Sequence, residues 1–462
     1  MLKDSASTIS TPLSFIINLS LRQGMVPSEW KVASVTPIHK SGPKNDFENY
    51  RPISVLSISS KILERIVHKQ LLTHLETENL LSSCQYGFRP GRSTQLATTK
   101  FIDSVRRNVD KGLIVGTIFI DLSKAFDTLS HSKLLAKISA YGVRDVELQW
   151  FTDYLFDRKV FVNYCKEQSM KQSLSNGVPK GSILGPLLFL IFFNDITECV
   201  QNAEIIKYAD DTVLFFPAKD LRTIEVNLSD DIERIATWFE ENELIINLKK
   251  GKSEVMLFGT SQKLSKLRDT LSISYRGSCI NVTSHYKYLG VDIDSSLNLN
   301  SHFDRTYKKA TGRLKLLGKL RGQLDEKSAK AIYTSMIVPT VTYNCILQGS
   351  LTANQKYKLS SIVNRAKSII NQRRDVSLPS LENETKKQTC FFVKKCLDGV
   401  ICDEFKDYYE LLQHNYGTRN KGISVRIPKM RTEYGKKSVW FNGAKVFNEL
   451  PIEIRKLRIL KF

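Results

Sequence analysis

The sequence has no apolar stretch near the ~20 continuous residues that a bilayer-spanning helix needs. Its early apolar segment, Leu13 to Leu21, is broken by Ser14, Asn18 and Ser20. No charged start leads into an apolar run with a small-residue cleavage site, so neither a membrane span nor a secretory leader is expected. Cysteine is sparse: eight in 462 residues (Cys84, Cys165, Cys199, Cys279, Cys345, Cys390, Cys396 and Cys402). That scatter excludes a disulfide scaffold and implies reduced thiols in an intracellular protein, nuclear or cytoplasmic. Cys390, Cys396 and Cys402 are equally spaced with His414 beyond, but the gaps exceed those of most zinc ligand pairs, and ordinary helix packing is the expectation. Internal repeats and low-complexity tracts are absent, which excludes a solenoid.

Acidic residues are outnumbered, 47 Asp and Glu against 68 Lys and Arg, for a formal charge of +21. Such a surplus favours a polyanionic partner, although charge alone does not separate nucleic acid from an anionic membrane surface. With 42% hydrophobic and 25% charged residues the chain is a folded protein. Its length implies roughly two to four domains or subdomains.

Periodicity sets out the elements. An apolar helical pattern runs from Pro12 to Leu21 and closes at Gly24 and Pro27. Pro37, Gly42-Pro43 and Pro52 forbid a long helix in the next stretch. Leu63, Val67, Leu71 and Leu75 mark one helix, and Leu96, Ile102, Val105 and Val109 mark another after the loop QYGFRPGRST. Gly116 to Ile120 reads as a buried strand ending at Asp121, while Ile205 to Tyr208 and Val213 to Phe216 read as a hairpin whose turn carries two carboxylates. Helices are expected at His131 to Tyr141, Leu187 to Phe193 and 221–243. Further strands are expected at Leu244 to Leu248, Glu254 to Phe258 and Tyr286 to Val291. From about residue 301 the pattern is helical and basic, with Lys308, Lys309, Arg313, Lys315, Lys319, Arg321, Lys327 and Lys330.

These elements form an α+β arrangement with polar chemistry on strand ends and turns. Metal-dependent phosphoryl transfer needs carboxylates converging on two divalent ions. Asp121, Asp210 and Asp211 would meet if their strands are neighbours in one sheet, and Mg²⁺ suits an all-oxygen site of that kind. A second pair, Asp230-Asp231, lies in a polar helical stretch and is expected to face solvent.

FIDLSKAFD (119–127), NGVPKGSILGPLLF (176–189), YADD (208–211), INLKKGKSEVMLFG (246–259) and YLGV (288–291) stand in the order found in reverse transcriptases of non-LTR retrotransposons, and the chain resembles the jockey-type, LINE-like members. WKVASVTPIHKSGPKNDFENYRPISVLSISSKILERIV and QYGFRPGRST are similar to the finger motifs of the same family, and VWFNGAKVFNELP (439–451) to its C-terminal segment. The resemblance implies a right-hand polymerase: an N-terminal helical segment (1–24), fingers (25–115), a palm (116–300) with an antiparallel sheet backed by helices, a helical basic thumb (301–375) and a C-terminal basic extension (376–462).

It also implies roles. Asp121, Asp210, Asp211 and the backbone carbonyl of Leu122 would hold two Mg²⁺ ions, with Mn²⁺ a substitute. Phe126 would be the aromatic gate against a ribose 2′-hydroxyl, although by itself it reads as core packing. Lys40 and Arg51 would grip the triphosphate. Lys252, beside Lys249 and Lys250, would pass a proton to pyrophosphate. Tyr288, Leu289 and Gly290 resemble the primer grip. The chain departs from the family at Pro179-Lys180-Gly181, where glutamine is usual in place of Lys180; Gly181 and Gly185 would let backbone approach the substrate. The implied partners are an RNA template, a DNA primer and dNTPs. No ribonuclease H segment is identifiable, and the endonuclease usual upstream is not expected in this chain. An RNA-dependent RNA polymerase shares the aspartates, but Phe126 argues against it; a catalytically silent, nucleic-acid-binding remnant is the other alternative.

Overall fold

A computed structural model describes residues 4–457 except 41, 166, 268, 350, 372–375 and 413–423; His414 therefore lies outside the described residues. Helix α1 (Ala6–Gln23) ends where Gly24 turns left-handed, φ 64, and its N–H closes on the Ser20 carbonyl. Strands β1 (Val32–His39) and β2 (Tyr50–Val55) form an antiparallel arm, with Ile38 opposite Arg51. Helices α2 (Ile58–Thr77) and α3 (Thr94–Asp110) each open on a serine, Ser57 and Ser93, whose side chain accepts an N–H of the first turn. Strand β3 (Ile114–Ile120) is buried at every residue.

Helices α4 (His131–Ala140) and α5 (Asp145–Leu155) precede the strands β4 (Arg158–Tyr164), β5 (Glu167–Gln168) and β6 (Gln172–Leu174). Next come α6 (Leu184–Phe192), the hairpin β7 (Glu204–Tyr208) and β8 (Asp211–Ala218), α7 (Leu221–Glu241) and β9 (Glu254–Phe258). After α8 (Ser261–Leu264), β10 (Ser274–Tyr275), β11 (Ser278–Cys279) and β12 (Asn281–Val282) stands the hairpin β13 (His285–Tyr288) and β14 (Val291–Asp294). The rest is helical: α9 (Asn300–Leu320), α10 (Glu326–Ile332), α11 (Val338–Thr342), α12 (Ala353–Ile370), α13 (Leu381–Leu397), α14 (Glu433–Lys436) and α15 (Val439–Asn448).

The site rests on a five-stranded sheet in the order β12-β9-β3-β8-β7, with β3 antiparallel to both its neighbours. Because strand side chains alternate, β3 feeds two cores. Ile114, Ile118 and Ile120 join a cluster with residues of α6 and α7, whereas Val115 and Phe119 join one with residues of α3. Gly116 lies under α7, where a Cβ would stand 2.1 Å from the Ile224 side chain. A second sheet extends the arm: β1 pairs in parallel with β4, and β5 and β6 pair with β4. Residues 158–174, inside the stretch expected to form the palm, thus complete the sheet of the expected fingers.

Residues 301–370 build a third core around Phe303, Leu314, Tyr333 and Ile362. The C-terminal residues do not form a separate core. Phe392, Phe405, Tyr409, Val439 and Phe447 are buried in one cluster with Phe101, Phe119, Phe215 and Phe258, so they cover the α3 side of the central sheet.

Three local expectations are corrected. Residues 244–248 form no strand, only an isolated bridge between Leu122 and Ile246. Tyr286 to Val291 is not one strand but parts of β13 and β14, folded back at Leu289 (φ 43) and Gly290 (φ 81), the paired positive φ of a tight hairpin turn. Asp231 does not face solvent: it is fully buried and accepts from the backbone N–H groups of Gln201, Asn202 and Ala203 at 3.0, 3.0 and 2.7 Å. Asp230 is exposed, as expected. All eight thiols are unpaired. Burial pushes the Cys390 thiol up to about 11 and the Cys402 thiol up to about 12.

Candidate active site

Asp121 follows the last residue of β3, and Asp211 opens β8. The register sets Ile120 opposite Thr212, so the next step brings Asp121 opposite Asp211. Asp210 sits in the two-residue turn, since Tyr208 pairs with Asp211. The turn's first residue, Ala209, has φ 56, a left-handed conformation for which glycine is the usual choice. Three carboxylates thus converge at one end of the sheet.

Their charges oppose one another. Burial, then Asp210 and Asp121, push the Asp211 carboxyl up to about 7. Burial foremost, with Asp121 contributing, raises Asp210 as well. Asp121 is held on both sides by the 247–253 loop. Its carbonyl accepts the Asn247 N–H at 2.8 Å, its N–H donates to Ser253 Oγ at 3.0 Å, and its carboxylate meets Asn247 Nδ2 at 3.1 Å and Lys252 Nζ at 3.4 Å. Lys252 is therefore the lysine of its trio beside an aspartate; Lys249 instead lies 3.7 Å from Glu48.

Among the described residues no three carboxylate, thiol or imidazole groups are already gathered closely enough to enclose an ion. The donor set nevertheless suits a hard divalent cation: every donor is an oxygen, and two of the carboxyls resist ionisation because they are buried beside other carboxylates, a penalty that a divalent cation would relieve. The Leu122 carbonyl accepts no hydrogen bond among the described residues and remains available as a further oxygen donor.

Cations ring the carboxylates. Lys40, just beyond β1, is lowered first by burial and then by Lys252 and Arg51, while Asp121 and Asp210 oppose the shift. Its amine thus shares one field with Arg51, the other expected triphosphate-binding group, with Lys252 and with two of the aspartates. Lys180 forms an ion pair with Asp127 at 2.5 Å, a partner that its glutamine-to-lysine departure gave no reason to seek. The Lys180 carbonyl accepts the Ser54 N–H at 2.6 Å, which ties this loop to the strand carrying Arg51.

Gly181 has φ 123, and a Cβ there would stand 2.4 Å from the Ser54 carbonyl oxygen. Likewise a Cβ on Gly185 would crowd Ser182 Oγ at 2.6 Å. Gly181 is thus required by packing against the Ser54 backbone and Gly185 by packing against the Ser182 side chain. The Phe126 ring is half-buried, stacked on Phe189 at 4.5 Å and edge-on to Phe88 at 6.4 Å.

Tyr288, Leu289 and Gly290 divide their work. Tyr288 is a core residue, packed on Phe101 and Phe119 with ring centroids 5.6 and 5.8 Å away. Leu289 and Gly290 form the turn, and their carbonyls accept from Tyr343 Oη at 2.6 Å and Arg305 Nη2 at 2.5 Å, so the hairpin is clamped to the helical region. On that region Lys308, Lys309, Lys315, Lys319, Arg321 and Lys327 are exposed, whereas Arg313 is turned inward to the Met336 carbonyl and Lys330 pairs with Glu326.

Residues that sequence reading passed over also shape the site: Asn247 and Ser253 beside Asp121, Asp127 beside Lys180, and Gln85 beside Ala209. All four lie inside motifs that carry the resemblance, Gln85 in QYGFRPGRST, Asp127 in FIDLSKAFD, and Asn247 and Ser253 in INLKKGKSEVMLFG, but the sequence does not show which partner each side chain meets. No helix among the described residues is long and apolar enough to cross a membrane.

Residues 38–293, more than half of the chain, match the family model described as reverse transcriptase (RNA-dependent DNA polymerase). The chain is 28% identical over 408 residues to the probable RNA-directed DNA polymerase from transposon BS of Drosophila melanogaster, covering 82% of this chain and 43% of that protein. It is 28% identical over 349 residues to the RNA-directed DNA polymerase from mobile element jockey of the same organism, covering 73% of this chain and 37% of that protein. The chain thus spans less than half the length of these relatives. Among solved structures, apo telomerase from Candida Tropicalis is a distant likeness, 12% identical with a TM-score of 0.42, covering 84% of this chain and 72% of that one.

Proposed function

Because the chain belongs to the reverse transcriptase family, we propose that it is an RNA-directed DNA polymerase of a non-LTR retrotransposon, extending a DNA primer with dNTPs on an RNA template. The observation that carries this reading is the convergence of Asp121, Asp210 and Asp211 at adjoining strand ends, with Lys40, Arg51 and Lys252 in the same electrostatic field. Asp121, Asp210, Asp211 and the Leu122 carbonyl would hold two Mg²⁺ ions, or Mn²⁺ in their place, which supply Lewis-acid neutralisation of charge on the α-phosphate.

The chain's own groups do the rest. Lys40 as a point charge and Arg51 as a planar fork bind the triphosphate, with Lys180 available as a further cation when it leaves Asp127. Lys252 holds the proton that the departing pyrophosphate takes up. Leu289 and Gly290 seat the primer end, fixed through Tyr343 and Arg305. The exposed lysines of the helical region meet the phosphates of the template-primer duplex, so binding weakens steeply with salt. Primer extension on poly(rA)/oligo(dT) tests the reading: dTTP is used in preference to UTP, and preferential use of UTP would point to RNA synthesis.

Phe126→Val is expected to lower the dTTP-over-UTP preference by about 10- to 100-fold, since a hydrophobic wall is the barrier to the added hydroxyl. Comparing kcat/KM for the two nucleotides checks it; a preference that stays at the native value would leave Phe126 with packing on Phe189 alone.

Activity also carries a pH signature. Asp211 must lose its proton to bind a cation, so the rate rises as pH increases through about 7. More Mg²⁺ competes with the proton and moves this limb to lower pH. Lys252→Ala removes a cation that favours the Asp211 carboxylate and moves it to higher pH. A limb that does not respond to Mg²⁺ concentration would assign it to another group.

A further inference from the structure

The turn before Asp210 is not held by its own strands alone. Segment 84–87 runs alongside β7, where the Lys207 N–H donates to the Cys84 carbonyl and the Tyr86 N–H donates to the Lys207 carbonyl, both at 2.8 Å. Gln85 thereby comes beside the hairpin end, 2% exposed. Its Oε1 accepts the Ala209 N–H at 3.0 Å and the Gly87 N–H at 2.8 Å, while Nε2 donates weakly to the Ala209 carbonyl at 3.4 Å. Gly87 makes the approach feasible, since a Cβ there would stand 2.4 Å from the Ala209 nitrogen.

Ala209 is the residue in the turn whose conformation needs explaining. A left-handed alanine costs about 1–2 kcal/mol relative to its ordinary conformations, so something must hold it. Beside the Tyr208–Asp211 pairing that closes the hairpin, the contacts to the N–H and carbonyl of Ala209 come from Gln85.

We propose that Gln85 is a positioning residue for the polymerase reaction: by gripping both polar groups of Ala209 it locks the left-handed turn and so fixes where Asp210 is presented. Gln85 touches no reacting atom; it acts through one peptide unit. This rests on the polymerase reading of the site, but the lock itself is a property of the free chain and is measurable without turnover.

The test uses the full chain with two readouts. In primer extension, Gln85→Met lowers kcat by about 10- to 100-fold, the range seen when a group orienting a metal ligand is removed, with KM for dTTP little changed. Adding Ala209→Gly, which needs no help to reach positive φ, restores part of that loss. In hydrogen exchange, Gln85→Met speeds the amides of residues 208–212 while those of β3 keep native protection. Native kcat in Gln85→Met, strictly multiplicative effects of the two substitutions, or unchanged exchange at the turn would each overturn the proposal. Where Gln85→Met does not fold, Gln85→Asn, polar but a methylene too short, replaces it with the same readouts. An inactive native chain would sink the polymerase reading and leave the exchange result to decide the lock.

Discussion

Asp211→Asn is expected to abolish primer extension and, in metal-free solution, to raise the melting temperature. The two effects share a cause. Asp211 titrates at about 7 in the folded chain because burial and the neighbouring Asp210 and Asp121 disfavour its charge, whereas an unfolded aspartate titrates near 3.8. Between these values the folded state holds a proton that the unfolded state does not. Stability from this group is therefore present at low pH and lost as pH rises toward 7. For a mostly buried carboxyl coupled to two others, the loss is about 2–4 kcal/mol.

Asparagine is neutral at every pH and avoids that loss, so its advantage over native is about a third of its full size at pH 5 and full at pH 8.5. Added Mg²⁺ should stabilise native chain and do little for the variant. Activity should fall by about 100- to 1,000-fold or more, the scale of losing one preorganised electrostatic group. Calorimetry in EDTA at both pH values, with and without Mg²⁺, decides it; an advantage equal at the two pH values would mean that charge repulsion is not stored at this site.

Removal of residues 376–462 is expected to prevent folding, not to yield a smaller polymerase. Their apolar side chains share the cluster of Phe101, Phe119, Phe215 and Phe258, on the α3 side of the central sheet. Each large apolar side chain uncovered forfeits about 1.5–3 kcal/mol, and five of them reach the whole ~5–15 kcal/mol stability of a domain. Polar staples would fail with them. Buried Arg106 would lose the Lys437 carbonyl, to which it donates at 2.8 Å, and keep only those of Leu347 and Leu297 at 2.6 and 3.0 Å. Asp103 accepts the Val439 N–H at 2.6 Å, and Asp110 accepts those of Arg431 and Thr432 at 3.1 and 2.8 Å. Near-UV circular dichroism and dye binding of the truncated chain measure this; a cooperative unfolding transition with native-like aromatic signal would show that the sheet stands without its C-terminal cover.

The hairpin that carries Asp210 and Asp211 was legible because its pattern is local: two β-branched runs around Ala209 to Asp211, and a strand apolar on both faces ending at Asp121. Residues whose meaning comes from distant partners were not. Asp231 looked like a solvated helix residue because its ligands, the N–H groups of 201–203, are absent from any helical pattern. Tyr286 to Val291 read as a strand by its apolar pattern because Leu289 stands where Asn or Asp before glycine usually announces a two-residue hairpin turn. Residues 244–248 have strand-like apolar content but make one bridge, to Leu122. The fingers sheet was hidden for another reason: β4 joins β1 in parallel from over a hundred residues away, and period-two alternation names a strand without naming its partner. Gln85 stood in a quoted motif, yet only the fold shows that its side chain reaches Ala209.

The most direct measurement is single-nucleotide primer extension by the full chain on an RNA template with Mg²⁺ and dNTPs, native against Asp210→Ala, together with a melting curve for each. Native chain should extend the primer, and Asp210→Ala should fold with a melting temperature at or above native and show no extension above background. Equal rates for the two folded proteins, or no extension by folded native chain, would contradict the assignment and favour a nucleic-acid-binding remnant without catalysis.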